Sequence, residues 1–344
     1  MRSLFYCDTP YQLMTILNIM SSEKIREADL VVYHNFNGSA DLIHRVKERH
    51  IFQTVYEVEA HNQSNIIEAK EMAFARGYLR KIGFGFNHYG CFFAACLDTV
   101  VSLNLYSVAN YDKFILIDDG IGSYYSNILG GDYMSWKRLL ILKMFHPIKK
   151  YFSVDSLFVY SPELCESRAS KAKHKISLEF TDDMDYVFEY KPNSMYRGKT
   201  VILEQPCSFK ELSSVRFELD KTFNRILVDN RLFEKTIIRL HPRMKKSDIG
   251  SCYDTTKNQW ELECKNQIDD SNTLIAIHST AIFQPTIMFG KYPRIILLYE
   301  LYRNALSMDE YNRIKTFTRK FSHIYSKANI LVPESFDKLT KILG

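Results

Sequence analysis

No CxxC pair, no GxGxxG or Walker motif, no run of 18 apolar residues and no low-complexity segment occurs in this 344-residue chain. Each absence excludes a class of protein. The seven cysteines (Cys7, Cys91, Cys96, Cys165, Cys207, Cys252 and Cys264) are odd in number and scattered, so they read as reduced thiols rather than a disulfide framework. No His/Cys cluster offers a transition-metal site, and no glycine-rich loop of the common nucleotide-binding types is present. Without a long apolar run there is no candidate bilayer-spanning helix. Asp8 interrupts the apolar residues 3–7, so no signal-peptide core is expected and the cytoplasm is the expected location. A net charge of +5 is too small for a dedicated nucleic-acid binder, and no RNA- or DNA-binding motif accompanies it.

What is present is the composition of a folded protein: 46% hydrophobic residues, with only 13 Gly and 9 Pro, enough to build the cores of two ordinary domains without a long disordered tract. The 23 Phe and 22 Tyr suit sugar or base stacking, but a plain aromatic core is the favoured reading.

Strand-like and helix-like stretches alternate along the chain. In the first half, strands are expected at 4–7, 29–34, 54–58, 113–117 and 156–160, with helices at 10–20, 40–49, 65–82 and 91–105. Residues 162–199 are polar, broken by Pro162, Pro192 and Gly198, and read as a linker. The second half predicts strands at 200–203, 236–240, 273–277, 294–298 and 328–331, and helices at 209–227, 258–267, 280–289, 307–322 and from 334 onward. Such alternation implies parallel sheets covered by helices. The expected fold is α/β, with two doubly wound Rossmann-like domains, 1–161 and 200–344, facing a cleft. The last helix is free to pack back on the first domain.

Three short polar motifs stand where predicted strands run out: Asp118-Asp119-Gly120, His241-Pro242-Arg243 and His278-Ser279-Thr280. Ligands of open α/β sheets bind outside the carboxyl ends of strands. A carboxylate there can act as general base, with a second one tuning it, although Asp and Gly also suit a plain turn. Asp118 ends the strand directly, so it is expected to aim at the cleft while Asp119 braces the turn. His241, fixed by Pro242, can protonate a leaving phosphate. A second His-Pro pair, His146-Pro147, does not follow a strand. Ser279 and Thr280 combine hydroxyls with the start of a helix, which suits both capping and anion binding. Glu261 is a candidate for ribose hydroxyls, with Glu263 as its competitor. Asp183-Met184-Asp185 has the D-x-D form of a cation site but falls among polar residues and reads as a solvated loop. Residues 134–152 mix Trp136, leucines and phenylalanines with five cationic side chains, which suits either an interfacial helix on an anionic membrane or a buried helix with basic ends.

The order Asp-Asp-Gly, His-Pro, Ser-Thr across two α/β halves resembles the bacterial sialyltransferases. Tyr6-Cys7-Asp8-Thr9-Pro10-Tyr11-Gln12, the extended Asp118-Asp119-Gly120-Ile121-Gly122-Ser123-Tyr124, and Glu261-Leu262 are most similar to glycosyltransferase family 52, the lipooligosaccharide and capsule sialyltransferases. The resemblance implies a GT-B-type fold and transfer of sialic acid, with inversion and no metal or other cofactor, from CMP-sialic acid to a galactose-terminated acceptor. It further implies that Asp118 or Asp119 is the base and His241 the acid. Glu261, Ser279, Thr280, Pro242 and Arg243 would hold the donor, and Thr9, Pro10, Gln12 and Gly120 would line the cleft. Peripheral contact with an anionic membrane and a homodimer are compatible with this reading, and a nucleic-acid partner is not.

Overall fold

The computed structural model describes residues 1–60, 65–120, 122–125, 140–141, 144–145, 154–165, 170–179, 181–204, 235–240, 253–277, 279–304 and 306–343. They form two compact units, Met1–Glu189 and Tyr190–Gly344.

The first unit is built on a seven-stranded sheet: β1 (Ser3–Cys7), β2 (Ala28–His34), β3 (Thr54–Glu59), β4 (His88–Ala94), β5 (Asn110–Ile117), β6 (Val154–Val159) and β7 (Ser170–Lys175). The order is β3-β2-β1-β4-β5-β6-β7, and every pairing is parallel. Parallel sheets are covered on both faces, so their central strands are apolar throughout. β1 is buried at all five positions, and its Phe5, in register with Phe93 of β4, stacks on that ring at 4.5 Å. Helix α1 (Pro10–Ser22) follows β1: Thr9 caps it by accepting from the Gln12 N–H, and Pro10 occupies the first turn, where no N–H is needed. Helices α2 (Ser39–Glu48), α3 (Asn65–Ala73), α4 (Ala75–Lys81), α5 (Val100–Val108) and the short α6 (Gly122–Tyr125) complete the crossovers.

The structure departs from the sequence expectation in two places. Residues 91–105 are not one helix: Cys91 to Ala94 belong to β4, and α5 begins only after a Thr99–Ser102 capping box. Period alone cannot separate a buried strand from a buried helix in so apolar a run, and pairing with β1 and β5 decides it. Residues 162–199 are not irregular throughout. They include β7, a Lys-rich strand at the edge of the sheet, where exposed charge guards against further pairing. They also include helix α7 (Asp182–Val187). The D-x-D acids therefore lie on a helix rather than a loop; both are exposed, and Asp183 pairs with Arg49 at 3.6 Å.

The second unit carries β8 (Thr200–Leu203), β9 (Thr236–Arg239), β10 (Thr273–Ala276), β11 (Arg294–Leu297) and β12 (Ile330–Leu331), in the order β12-β11-β10-β8-β9, again all parallel. Its helices are α8 (Trp260–Asn266), α9 (Gln284–Phe289), α10 (Met308–Ile324) and α11 (Phe336–Leu343). The helix expected at 280–289 is a 3-10 turn (Thr280–Phe283) running into α9, which stops where Gly290 turns left-handed at φ +62°. The helix expected at 209–227 lies outside the described residues. Both units are doubly wound α/β folds, as expected from the alternation. Among the described residues no helix is long and apolar enough to cross a membrane.

Candidate active site

In the first sheet the connections run outward from β1 in one direction and from β4 in the other, so the strand order reverses between them. The carboxyl ends at such a reversal leave room for a ligand. Asp8 follows β1 there, Cys96 and Asp98 follow β4, and Asp118 and Asp119 follow β5.

Asp118 is fully buried and surrounded by donors. Its Oδ1 accepts from the Tyr11 hydroxyl at 2.9 Å and the Gly120 N–H at 2.7 Å; its Oδ2 accepts from the Tyr124 hydroxyl and, at 3.2 Å, from the Tyr160 N–H. The Gly120 contact needs a left-handed turn at φ +83°, which favours glycine. Burial pushes the Asp118 carboxyl up, and these four bonds pull against it. Such a group ties β5, β6, α1 and α6 together and has no vacant direction from which to take a proton.

Asp119 points the other way and is exposed. Its N–H donates to Ser123 Oγ at 2.7 Å, and its Oδ1 accepts from Gln12 Nε2 at 2.9 Å. Its carboxyl is pushed up to about 7, first by the hydration it loses to surrounding protein and then by the charges of Asp8, Asp98 and Asp118. The side chains diverge as strand alternation requires, but the orientation expected from the sequence is reversed: the brace is Asp118 and the open carboxylate is Asp119.

Asp8, Cys96 and Asp98 place one ligand atom each within 4.8 Å of one another. The Cys96 thiol donates to Asp98 Oδ1 at 3.0 Å, and burial together with Asp119, Asp98 and Asp8 raises it well above the ordinary thiol range. A thiol held protonated is a weak metal ligand and a weak nucleophile. This trio is hidden in the sequence, where the apolar residues 91–105 have the look of a helix and the end of β4 does not show. Thr9 and Pro10 shape the start of α1, and Gly120 the turn after β5, so the structure gathers the first unit's expected site residues around one set of strand ends.

In the second unit the strand order reverses between β8 and β10, and Ser279 lies just past β10. Its hydroxyl accepts from the Ala281 N–H at 3.3 Å, and Thr280 opens the 3-10 turn. The Trp260 indole donates to the Ala281 carbonyl at 2.9 Å, which joins the start of α8 to this turn. Glu261, next to Trp260, is buried; it accepts from Gln259 Nε2 at 2.9 Å and also bonds the Gln284 side chain. Burial raises its carboxyl. Glu263 has a different setting: Asn193, Asn258 and Gln267 all donate to it, the first two at 3.0 and 2.7 Å. Those three amides make Glu263 a structural anchor and leave Glu261 as the acid beside the Ser279 turn. Arg239, ending β9, bonds Tyr196 and Asp254 at 2.9 and 2.7 Å and lies over the Trp260 ring. Gln284 belongs to no sequence motif; its Oε1 is buried with no partner among the described residues. His241, Pro242, Arg243 and His278 lie outside the described residues.

The profile of the alpha-2,8-polysialyltransferase (POLYST) family matches residues 3–275 of the chain. Among solved structures, similar chains include a glycotransferase of kitacinnamycin, 8% identical over 99% of this chain and 98% of the other, with a TM-score of 0.47. Another is the UDP-N-acetylglucosamine 2-epimerase from Rickettsia bellii, 10% identical over 95% and 97%, also at 0.47. No curated protein sequence matches the chain.

Proposed function

Because this chain belongs to the alpha-2,8-polysialyltransferase family, and is therefore a sialyltransferase, we propose that it transfers sialic acid from CMP-sialic acid to a bacterial surface glycan. The acceptor hydroxyl attacks the anomeric carbon, the bond from that carbon to the CMP phosphate breaks, and the configuration inverts. Asp119 takes the acceptor's proton. CMP departs with its phosphate charge met by Ser279, Thr280, His241 and Arg243, while Glu261 accepts from the ribose hydroxyls. With charge on the leaving group met by protein donors, the step needs no metal. One observation carries the reading: Asp119 is an open carboxyl at a strand-order reversal, tuned to about 7. A general base works best with a pKa near the working pH. The family description favours an acceptor ending in sialic acid, whereas the resemblance to family 52 favours galactose.

The donor is tested by thermal shift. CMP or CDP at about 100 times its dissociation constant should stabilise the protein by roughly 2.7 kcal/mol, and EDTA should leave transfer unchanged. Stabilisation by UDP or GDP, with none from CMP, would replace the donor with another nucleotide sugar. Binding without transfer to either a sialylated or a galactosylated acceptor would point to a non-catalytic assembly protein.

The peripheral membrane reading has its own support. Of the stretch 134–152 the described residues are 140–141 and 144–145; they are helical, and Leu140, Met144 and Phe145 are exposed. With Lys137, Arg138, Lys143, Lys149 and Lys150 nearby in sequence, co-sedimentation with anionic vesicles is expected. Binding should fade as salt screens the charges. Equal binding to neutral vesicles, or none, would return the segment to a buried role.

A further inference from the structure

We propose that Gln12 is the positioning residue of Asp119, its side-chain amide joining the end of β1 to the end of β5 and aiming the carboxylate. The inference rests on Asp119 being the base. Gln12 is 1% exposed, and a buried amide is costly unless both ends are bonded. Both are: Oε1 accepts from the Asp8 N–H at 2.9 Å, and Nε2 donates to Asp119 Oδ1 at 2.9 Å. The orientation of the amide is forced. A backbone N–H can only donate, so Oε1 must face Asp8 and the NH₂ must face Asp119. The Gln12 backbone is fixed as well, because its own N–H donates to the Thr9 cap at 3.2 Å.

Two consequences follow for the carboxylate. The bond holds Oδ1 and leaves Oδ2 with no partner among the described residues, so Oδ2 is the oxygen presented to a substrate hydroxyl. The bond also favours the ionised form, since an NH₂ donor is bound more strongly by a carboxylate than by a carboxylic acid. The groups that face Asp119 include Asp8 from the β1–α1 turn, Cys96 and Asp98 from the end of β4, and Asp118 from its own strand, which is itself bonded to Tyr11 and Tyr124. The three carboxylates oppose ionisation of Asp119, and the Gln12 amide acts in the other direction.

The test compares Gln12→Glu, which keeps an acceptor for the Asp8 N–H, with Gln12→Met, which removes both bonds at similar volume. The pH profile of kcat/KM is measured for both alongside Asp119→Asn. Each Gln12 variant should move the acid limb upward by roughly one pH unit. Near pH 6.5 turnover should fall about tenfold, with KM within about twofold and recovery at alkaline pH. A lowered melting temperature with an unmoved profile would overturn the proposal and leave Gln12 as a packing residue. If Asp119→Asn is inactive while the Gln12 profiles match wild type, the positioning role alone fails. If Asp119→Asn transfers normally, the base assignment fails and takes this inference with it.

Discussion

Asp119→Asn should reduce sialyl transfer by roughly 10²–10⁴-fold, the usual worth of a positioned general base. CMP binding should survive, because the groups proposed to hold the nucleotide belong to the second unit. The substitution is nearly isosteric and removes an ionised form that the fold disfavours, so at and above pH 7 the melting temperature should hold or rise rather than fall. The wild-type enzyme should also lose activity as pH falls through about 7, where the Asp119 carboxyl becomes protonated and can no longer accept. The sign follows from the direction of the shift: a carboxyl raised from 3.8 is a usable base only above its new value. Full transfer by the folded Asn variant, or an acid limb remaining near pH 4, would move the base elsewhere.

Asp118→Ala should act on the fold instead. It strands four donors at once: the hydroxyls of Tyr11 and Tyr124 and the N–H groups of Gly120 and Tyr160. Removing the acceptor from such a buried set costs about 3–5 kcal/mol. In a unit of this size that is a fall of roughly 6–20 °C in Tm, read by calorimetry. Asp118→Asn should be milder. Its remaining oxygen still serves Tyr11 and Gly120, and the Tyr124 hydroxyl can turn to accept from the new NH₂, so only the Tyr160 N–H is left facing a donor. Retained stability with lost transfer in Asp118→Asn would restore the orientation read from the strand end alone.

Much of this architecture is legible in the sequence because the signals are local. Thr9-Pro10 marks the start of α1, Ser307 the start of α10, and the apolar runs before Asp118 and Ser279 mark β5 and β10. The misread elements are those whose state is decided by neighbours. β4 is as apolar as a buried helix and becomes a strand because β1 and β5 flank it; β7 is too polar to announce itself and is held by β6. The site shows the same division. That Asp118 and Asp119 diverge follows from alternation, but which one is buried depends on Tyr124, at the far end of the extended motif, and on Tyr160 beyond β6, and alternation weighs neither. The Glu261 and Glu263 pair is similar: three amides from outside helix α8 or from its ends distinguish them, and no spacing rule does.

The upward shift of the Asp119 carboxyl also couples folding to proton uptake. Unfolded, this group would release its proton near 3.8; folded, it keeps it to about 7, so between those values the native chain binds more protons than the unfolded one. By linkage, its contribution to stability is greatest at the acid end of that window and declines as pH rises through it. The buried Asp118 and Glu261 carboxyls are shifted in the same sense. The ionised form that can accept a proton from an acceptor sugar is thus the form that weakens the fold, so the pH range of turnover is one in which the protein has given up some of its native stability.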